Sequence, residues 1–146
     1  MRKYEYYLNT QKNRIALVYY KWRHQSLSYK TGIQIPPNVF EEGLHINHFG
    51  LIVVNAKARI GKHCDLHQGV NIGEGIDRKA PQIGDDCWIG PGAKLYGDIH
   101  IGNGVMVGAN AVVTKNFEED FITIAGVPAR KIKATGKPLP NDVQSR

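Results

Sequence analysis

Aliphatic residues recur every six positions through much of the chain. Ile60, Leu66 and Ile72 set the spacing. After an interruption, Ile83, Ile89, Leu95, Ile101, Val107 and Val113 resume it. Glycine follows six of these residues, as Gly61, Gly73, Gly84, Gly90, Gly102 and Gly108. Four positions after the aliphatic comes a second small or apolar residue, for example Cys64, Val70, Cys87, Ala93, Val105 and Ala111. A period of six matches neither the 3.6 of an amphipathic helix nor the 2 of a half-buried strand, and a helix would not tolerate so many glycines. The pattern predicts a triangular parallel solenoid. Each hexad makes one short strand and one corner, three hexads make a coil, and coils stack at the strand spacing of about 4.8 Å.

Upstream the register blurs. Val54 keeps phase with Ile60, but Pro36-Pro37 and Glu41-Glu42-Gly43 interrupt Ile33, Ile35, Val39, Leu44 and Ile46, so residues 32–59 are expected to form irregular first coils. Residues 74–82 break the repeat, with a step of eleven from Ile72 to Ile83, and predict an external loop. Residues 1–30 have no hexads. The stretch from Tyr4 to Trp22 mixes aromatic, aliphatic and basic residues, which predicts one or two helices. An open coil end is an exposed sheet edge, so capping is their favoured role, with contact to a membrane surface as the other reading. The expected organisation is a helical cap over 1–30, a solenoid domain over 31–133 and a flexible polar tail over 134–146.

Composition narrows the field modestly. In 146 residues, nineteen Lys and Arg stand against thirteen Asp and Glu, a formal net charge of +6. That balance suits phosphates, an acidic glycan or nucleic acid, and equally a soluble basic surface. Nucleic-acid binding has no recognition helix or zinc pattern behind it. Cys64 and Cys87 do not make a disulfide framework and read as small core residues. With no secretory signal or membrane-spanning stretch visible, a cytoplasmic protein with at most peripheral membrane contact is the expectation.

The hexads resemble those of hexapeptide-repeat acyltransferases, and Ala125-Gly126-Val127-Pro128-Ala129-Arg130 is similar to that superfamily's closing motif. The resemblance implies a left-handed parallel β-helix, a homotrimer and acetyl-CoA as co-substrate. Asn47-His48-Phe49-Gly50-Leu51-Ile52-Val53-Val54 and Ile89-Gly90-Pro91-Gly92-Ala93-Lys94 look like segments of serine acetyltransferases. Three departures stand out. The N-terminal segment is short. Lys79-Ala80-Pro81-Gln82 occupies the place of a histidine-bearing segment, and Gln34 that of an aspartate that orients the catalytic histidine. With Thr31-Gly32-Ile33-Gln34-Ile35-Pro36 and Asn47-His48-Phe49-Gly50, the chain is similar to short O-acetyltransferases of bacterial surface-polysaccharide biosynthesis, of the colanic-acid type. The acceptor expected is then a sugar or glycan hydroxyl, with serine as the alternative.

Acyl transfer from a thioester requires a base for the acceptor proton and donors for the oxyanion, and a neutral imidazole suits the first task. The resemblance selects His48 as general base, with Asn47 and Gln34 as its orienting neighbours. His45 and His67 are expected on the acceptor side. Counting back six from Val54 puts His48 inward, as a core histidine, unless Phe49-Gly50 shifts the register. The resemblance also assigns CoA contacts to Gly92, Ala93, Ala111, Lys115, Arg130 and Lys131, although the small residues could equally be core and the cations ordinary surface charges. Two rivals stay open. One is a zinc enzyme of the γ-carbonic-anhydrase kind, disfavoured by the spacing of the histidine pairs His45/His48 and His63/His67; no metal site is expected. The other is a non-catalytic scaffold.

Overall fold

A computed structural model describes residues 1–138. Two helices, α1 (Arg2–Thr10) and α2 (Arg14–Thr31), precede fourteen short strands. The strands wind into a three-faced prism. The first face stacks β1 (Ile33–Gln34), β3 (Ile52–Val54), β6 (Asn71–Gly73), β9 (Lys94–Tyr96) and β12 (Val112–Val113). The second stacks β4 (Arg59–Ile60), β7 (Gln82–Ile83) and β10 (His100–Ile101). The third stacks β2 (His45–Ile46), β5 (Asp65–Leu66), β8 (Trp88–Ile89), β11 (Met106–Val107) and β13 (Thr123–Ala125). Five strands on the first face correspond to five turns of a parallel β-solenoid.

The hexad aliphatics form the inner ladders. All nine, from Ile60 to Val113, are buried, and so is Val54. Each pairs with its counterpart one coil away, as Ile89 does with Val107 and Ile72 with Leu95. Backbone amides donate along the prism axis, for example Asp65 N–H to Cys87 C=O at 2.9 Å. Corners are filled by the second small residue, and Cys64, Cys87, Ala93, Val105 and Ala111 are all fully buried. Both cysteines are free thiols, and burial pushes Cys87 up to about 12.

Coil length varies. Eighteen residues separate Ile89 from Val107, but twenty separate Ile46 from Leu66, and twenty-three separate Ile72 from Leu95. The longest coil accommodates the loop between β6 and β7 at the corner from first to second face. Lys57 Nζ holds this loop through Glu74 and the Arg78 carbonyl, each at 2.9 Å, and Lys79 pairs with Asp98. Gln82, expected in the loop, is the first residue of β7.

Helix α1 closes the open end of the first coil. Glu5 is buried, accepts the Asn38 N–H at 2.8 Å and pairs with Arg2 at 2.9 Å. Arg2 in turn donates to the carbonyls of Phe40 and Glu41. Helix α2 starts at Asn13, whose side chain accepts the Ala16 N–H at 3.0 Å, and stops at Gly32 with φ +70°. Tyr7 stacks on Tyr20 at 5.3 Å and joins the two helices. Among the described residues, no helix is long and apolar enough to cross a membrane.

The far end departs from a loose tail beginning at 134. After β14 (Arg130–Lys133) turns back antiparallel on β13, the chain recrosses the third face. Lys137 N–H donates to Gly104 C=O at 2.8 Å, and its Nζ pairs with Asp65 at 2.7 Å. These bonds hold Lys137 in place; residues 139–146 of the expected tail lie outside the described residues.

Candidate active site

The corner between the third and first faces of the first coil carries two residues more than a hexad allows. Ile46 and Val54 are eight positions apart, and the surplus is extruded at residues 47–51. His48 is therefore exposed, so counting hexads back from Val54 gives the wrong orientation. Phe49 and Leu51 emerge with it, 86% and 72% exposed. The bulge rests on the next coil at Gly50, where a Cβ would stand 2.9 Å from the Gln68 Cβ. Only glycine allows that approach without displacing the corner.

Imidazoles gather at this edge. Asn47 stands one coil from His67 on the third face, and its amide donates to His67 Nε2 at 3.2 Å. The ring centroid of His48 lies 5.9 Å from that of His67, and His67 is 4.7 Å from the Trp88 ring. Burial against these neighbours, and then the like charge of His48, pull the His67 pKa below its ordinary value. A neutral His67 accepting from Asn47 is consistent with both effects. His45 makes a different pair: its Nδ1 meets Asp65 Oδ1 at 3.0 Å, while Asp65 Oδ2 holds Lys137. Beside them, Gln68 Oε1 is buried with no hydrogen-bond partner among the described residues, an acceptor that costs free energy until something donates to it.

The structure thus brings together Asn47, His48, His67 and, a little further down the same face, His45. It does not bring Gln34 to them. Gln34 lies on β1 in register with Val53 and lines a depression beside α2 with His24 and Tyr29. Among the described residues no hydrogen bond joins it to His48: Gln34 sits on a strand of the first face, His48 on the corner that precedes β3. Asp65, Trp88 and Lys137 were missed from sequence. The signal for Asp65 is the twenty-residue offset that sets Asn47 beside His67, since the same offset sets His45 beside Asp65.

The residues assigned to CoA separate into four groups. Gly92, with φ +72°, caps the same prism edge as His48, and its N–H donates to Gln68 C=O at 2.9 Å. Ala93 and Ala111 are core residues beneath that edge, with side chains fully buried. Their N–H groups are already spent on Gly90 and Gly108 within the corner turns, so a ligand can reach only the backbone outside them. Lys115 follows the first face, over the Phe117 ring at 5.4 Å, on a different edge from His48. Arg130 and Lys131 are exposed on β14, with Lys131 held by Glu119 at 2.6 Å. Among the described residues, no three His, Cys, Asp or Glu side chains stand together as a metal-ligand set.

Residues 80–115 match the family model of the bacterial transferase hexapeptide (six repeats). The chain is 32% identical over 143 residues to a serine acetyltransferase of Bacillus subtilis, covering 90% of this chain and 65% of that one. A Brucella abortus serine acetyltransferase in complex with coenzyme A aligns with a TM-score of 0.74 at 29% identity, covering 92% and 54% of the two chains. Soybean serine acetyltransferase complexed with serine aligns at 0.73 and 28% identity, covering 88% and 53%. The chain spans between 45% and 65% of the length of such curated relatives. The expected surface-polysaccharide subgroup draws no support from these proteins.

Proposed function

Because the chain belongs to the hexapeptide-repeat acyltransferases, we propose that it is an acetyl-CoA-dependent O-acetyltransferase with its reaction centred on His48. The observation that carries this reading is the extruded corner: two surplus residues present an exposed imidazole on an otherwise regular prism edge. A thioester is already activated. The protein has to supply a base for the attacking hydroxyl and a surface that holds donor and acceptor together. His48 takes the hydroxyl proton as oxygen attacks the thioester carbonyl, and the thiolate of CoA then leaves and is protonated. Asn47 and His67 hold the wall beside it, and the His45–Asp65 pair faces the acceptor. Gly92 and the corners stacked over it give pantetheine a backbone-lined groove, while Arg130 and Lys131 are cations suited to the phosphates of the nucleotide end.

The exposed Phe49 and Leu51 support a site completed by a second copy of the chain, and a closed trimer gives every such edge a partner. Serine is the acceptor that the relatives favour. A sugar hydroxyl is the second reading, and one feature favours it: the loop offers Lys79 and the buried Ala80 where the resemblance expects a histidine. Release of CoA thiol from acetyl-CoA, measured with L-serine and with a panel of sugars and nucleotide sugars, tests the proposal. Serine-dependent release is expected. Release only with a sugar would move the acceptor to the second reading, and no release with any hydroxyl acceptor would overturn the transferase assignment.

A further inference from the structure

Helix α2 spans eighteen residues without fully burying one of them. Its inner side, with Leu17, Tyr20 and His24, packs towards α1 and the first coil, with Tyr20 on Tyr7 and His24 5.5 Å from Tyr4. Its outer side is apolar too. Ile15, Val18, Tyr19, Trp22 and Tyr29 are all exposed, Ile15 at 84% and Trp22 at 64%. At about 100° per residue, these five fall within an arc of roughly 100°. Arg14 and Lys21 flank the arc on one side, Arg23 and Lys30 on the other. Capping the solenoid does not explain this stripe, because Glu5 and Arg2 of α1 perform the capping.

The charge is as segregated as the apolar surface. Residues 1–31 hold seven of the nineteen basic residues and one of the thirteen acidic ones, Glu5, which is buried against Arg2. Over residues 32–146, twelve basic and twelve acidic residues cancel. The whole formal charge of +6 therefore belongs to the helical hairpin. An aromatic and aliphatic stripe with cations on both rims is the pattern of a helix lying in a lipid headgroup plane. Its apolar side enters the acyl boundary while Lys and Arg meet anionic headgroups.

We propose that the outer face of α2 docks the protein on an anionic lipid surface. The occupant is a membrane and not a second hairpin, because two copies meeting through this face would bring their cationic rims together, whereas anionic headgroups neutralise them. The docking is peripheral, and it does not depend on the reaction at His48.

The test is co-sedimentation of the intact protein with phosphatidylcholine vesicles, with and without phosphatidylglycerol. Binding is expected only to the anionic vesicles, weakening as salt rises. The double variant V18E/W22E should lose binding at least tenfold, with helical circular dichroism and melting temperature unchanged. Fluorescence of Trp22, read in a Trp88→Phe background, should shift to the blue on binding. Failure of the native protein to bind anionic vesicles would overturn the proposal. So would undiminished binding by the double variant, or a concentration-dependent self-association that V18E/W22E abolishes while vesicles remain unbound. Thiol release from acetyl-CoA, measured without vesicles, should be the same for native protein and double variant, which keeps this outcome separate from that of the transferase reading.

Discussion

The solenoid and the helical hairpin solve opposite problems with the same kinds of residue. In the solenoid, every hexad aliphatic faces inward and stacks on its counterpart in an adjacent coil, and over residues 32–146 the basic and acidic residues cancel. In α2, apolar residues occupy two sides, and the outer set is left exposed. Burial in the ladders holds the fold, and exposure in the hairpin is left available for something else.

Removing side chains from each region is the strongest way to break that contrast. Leu95→Ala deletes a fully buried rung between β6 and β12 and should cost about 2–5 kcal/mol in denaturant unfolding. Trp22→Ala should cost less than about 0.5 kcal/mol. Equal costs would mean that α2 packs on the solenoid far more tightly than its exposure indicates. A smaller effect separates the regions by cooperativity. Asn13→Ala removes the cap that accepts the Ala16 N–H and should cost about 1 kcal/mol. The loss should be confined to the helical signal, and hydrogen exchange should show faster opening of α2 with β5, β8 and β11 unaffected.

The smallest expected effect lies at the His67 cluster. Its pKa is lowered in the folded protein, so the unfolded chain takes up a proton first as pH falls. The contribution of His67 to stability is complete above the ordinary histidine range. It should decline as pH falls through that range and level off below the folded value. The slope should be slight, because water screens the site, and His67→Gln should remove it. An NMR titration that puts His67 at or above the usual histidine value would contradict the arrangement with Asn47 and His48.

The inner ladders were fully legible, because a hexad states its own phase and nothing long-range is needed to read it. The edge was legible only through resemblance. Residues 47–51 hold two surplus positions, and counting by six from Val54 turns His48 inward when the corner in fact expels it. Asp65 was hidden by the same irregularity, since its partner His45 is twenty residues away and not eighteen. Gln34 came from the resemblance alone, which matches its segment to an aspartate-bearing one and carries no information on how the extruded corner orients His48 relative to β1. Lys137 reaches Asp65 through a return of the chain after β14 that no local pattern announces. The aromatic and basic character of α2 was legible, but its division into an inner and an outer apolar side was not, because apolar residues on two sides blur any single helical periodicity.

The comparison also frames the site, since two histidines on the same face offer themselves as base. His45 has the carboxylate partner, and His48 has the extruded corner and the family motif. Acceptor-dependent thiol release from acetyl-CoA by His48→Ala and His45→Ala, each checked for native circular dichroism, is the most direct test. His48→Ala should lower kcat by about 10²–10⁴, while His45→Ala should chiefly raise KM for the acceptor. Near-native turnover by His48→Ala, or the larger loss of kcat in His45→Ala, would contradict the assignment of His48 as the base.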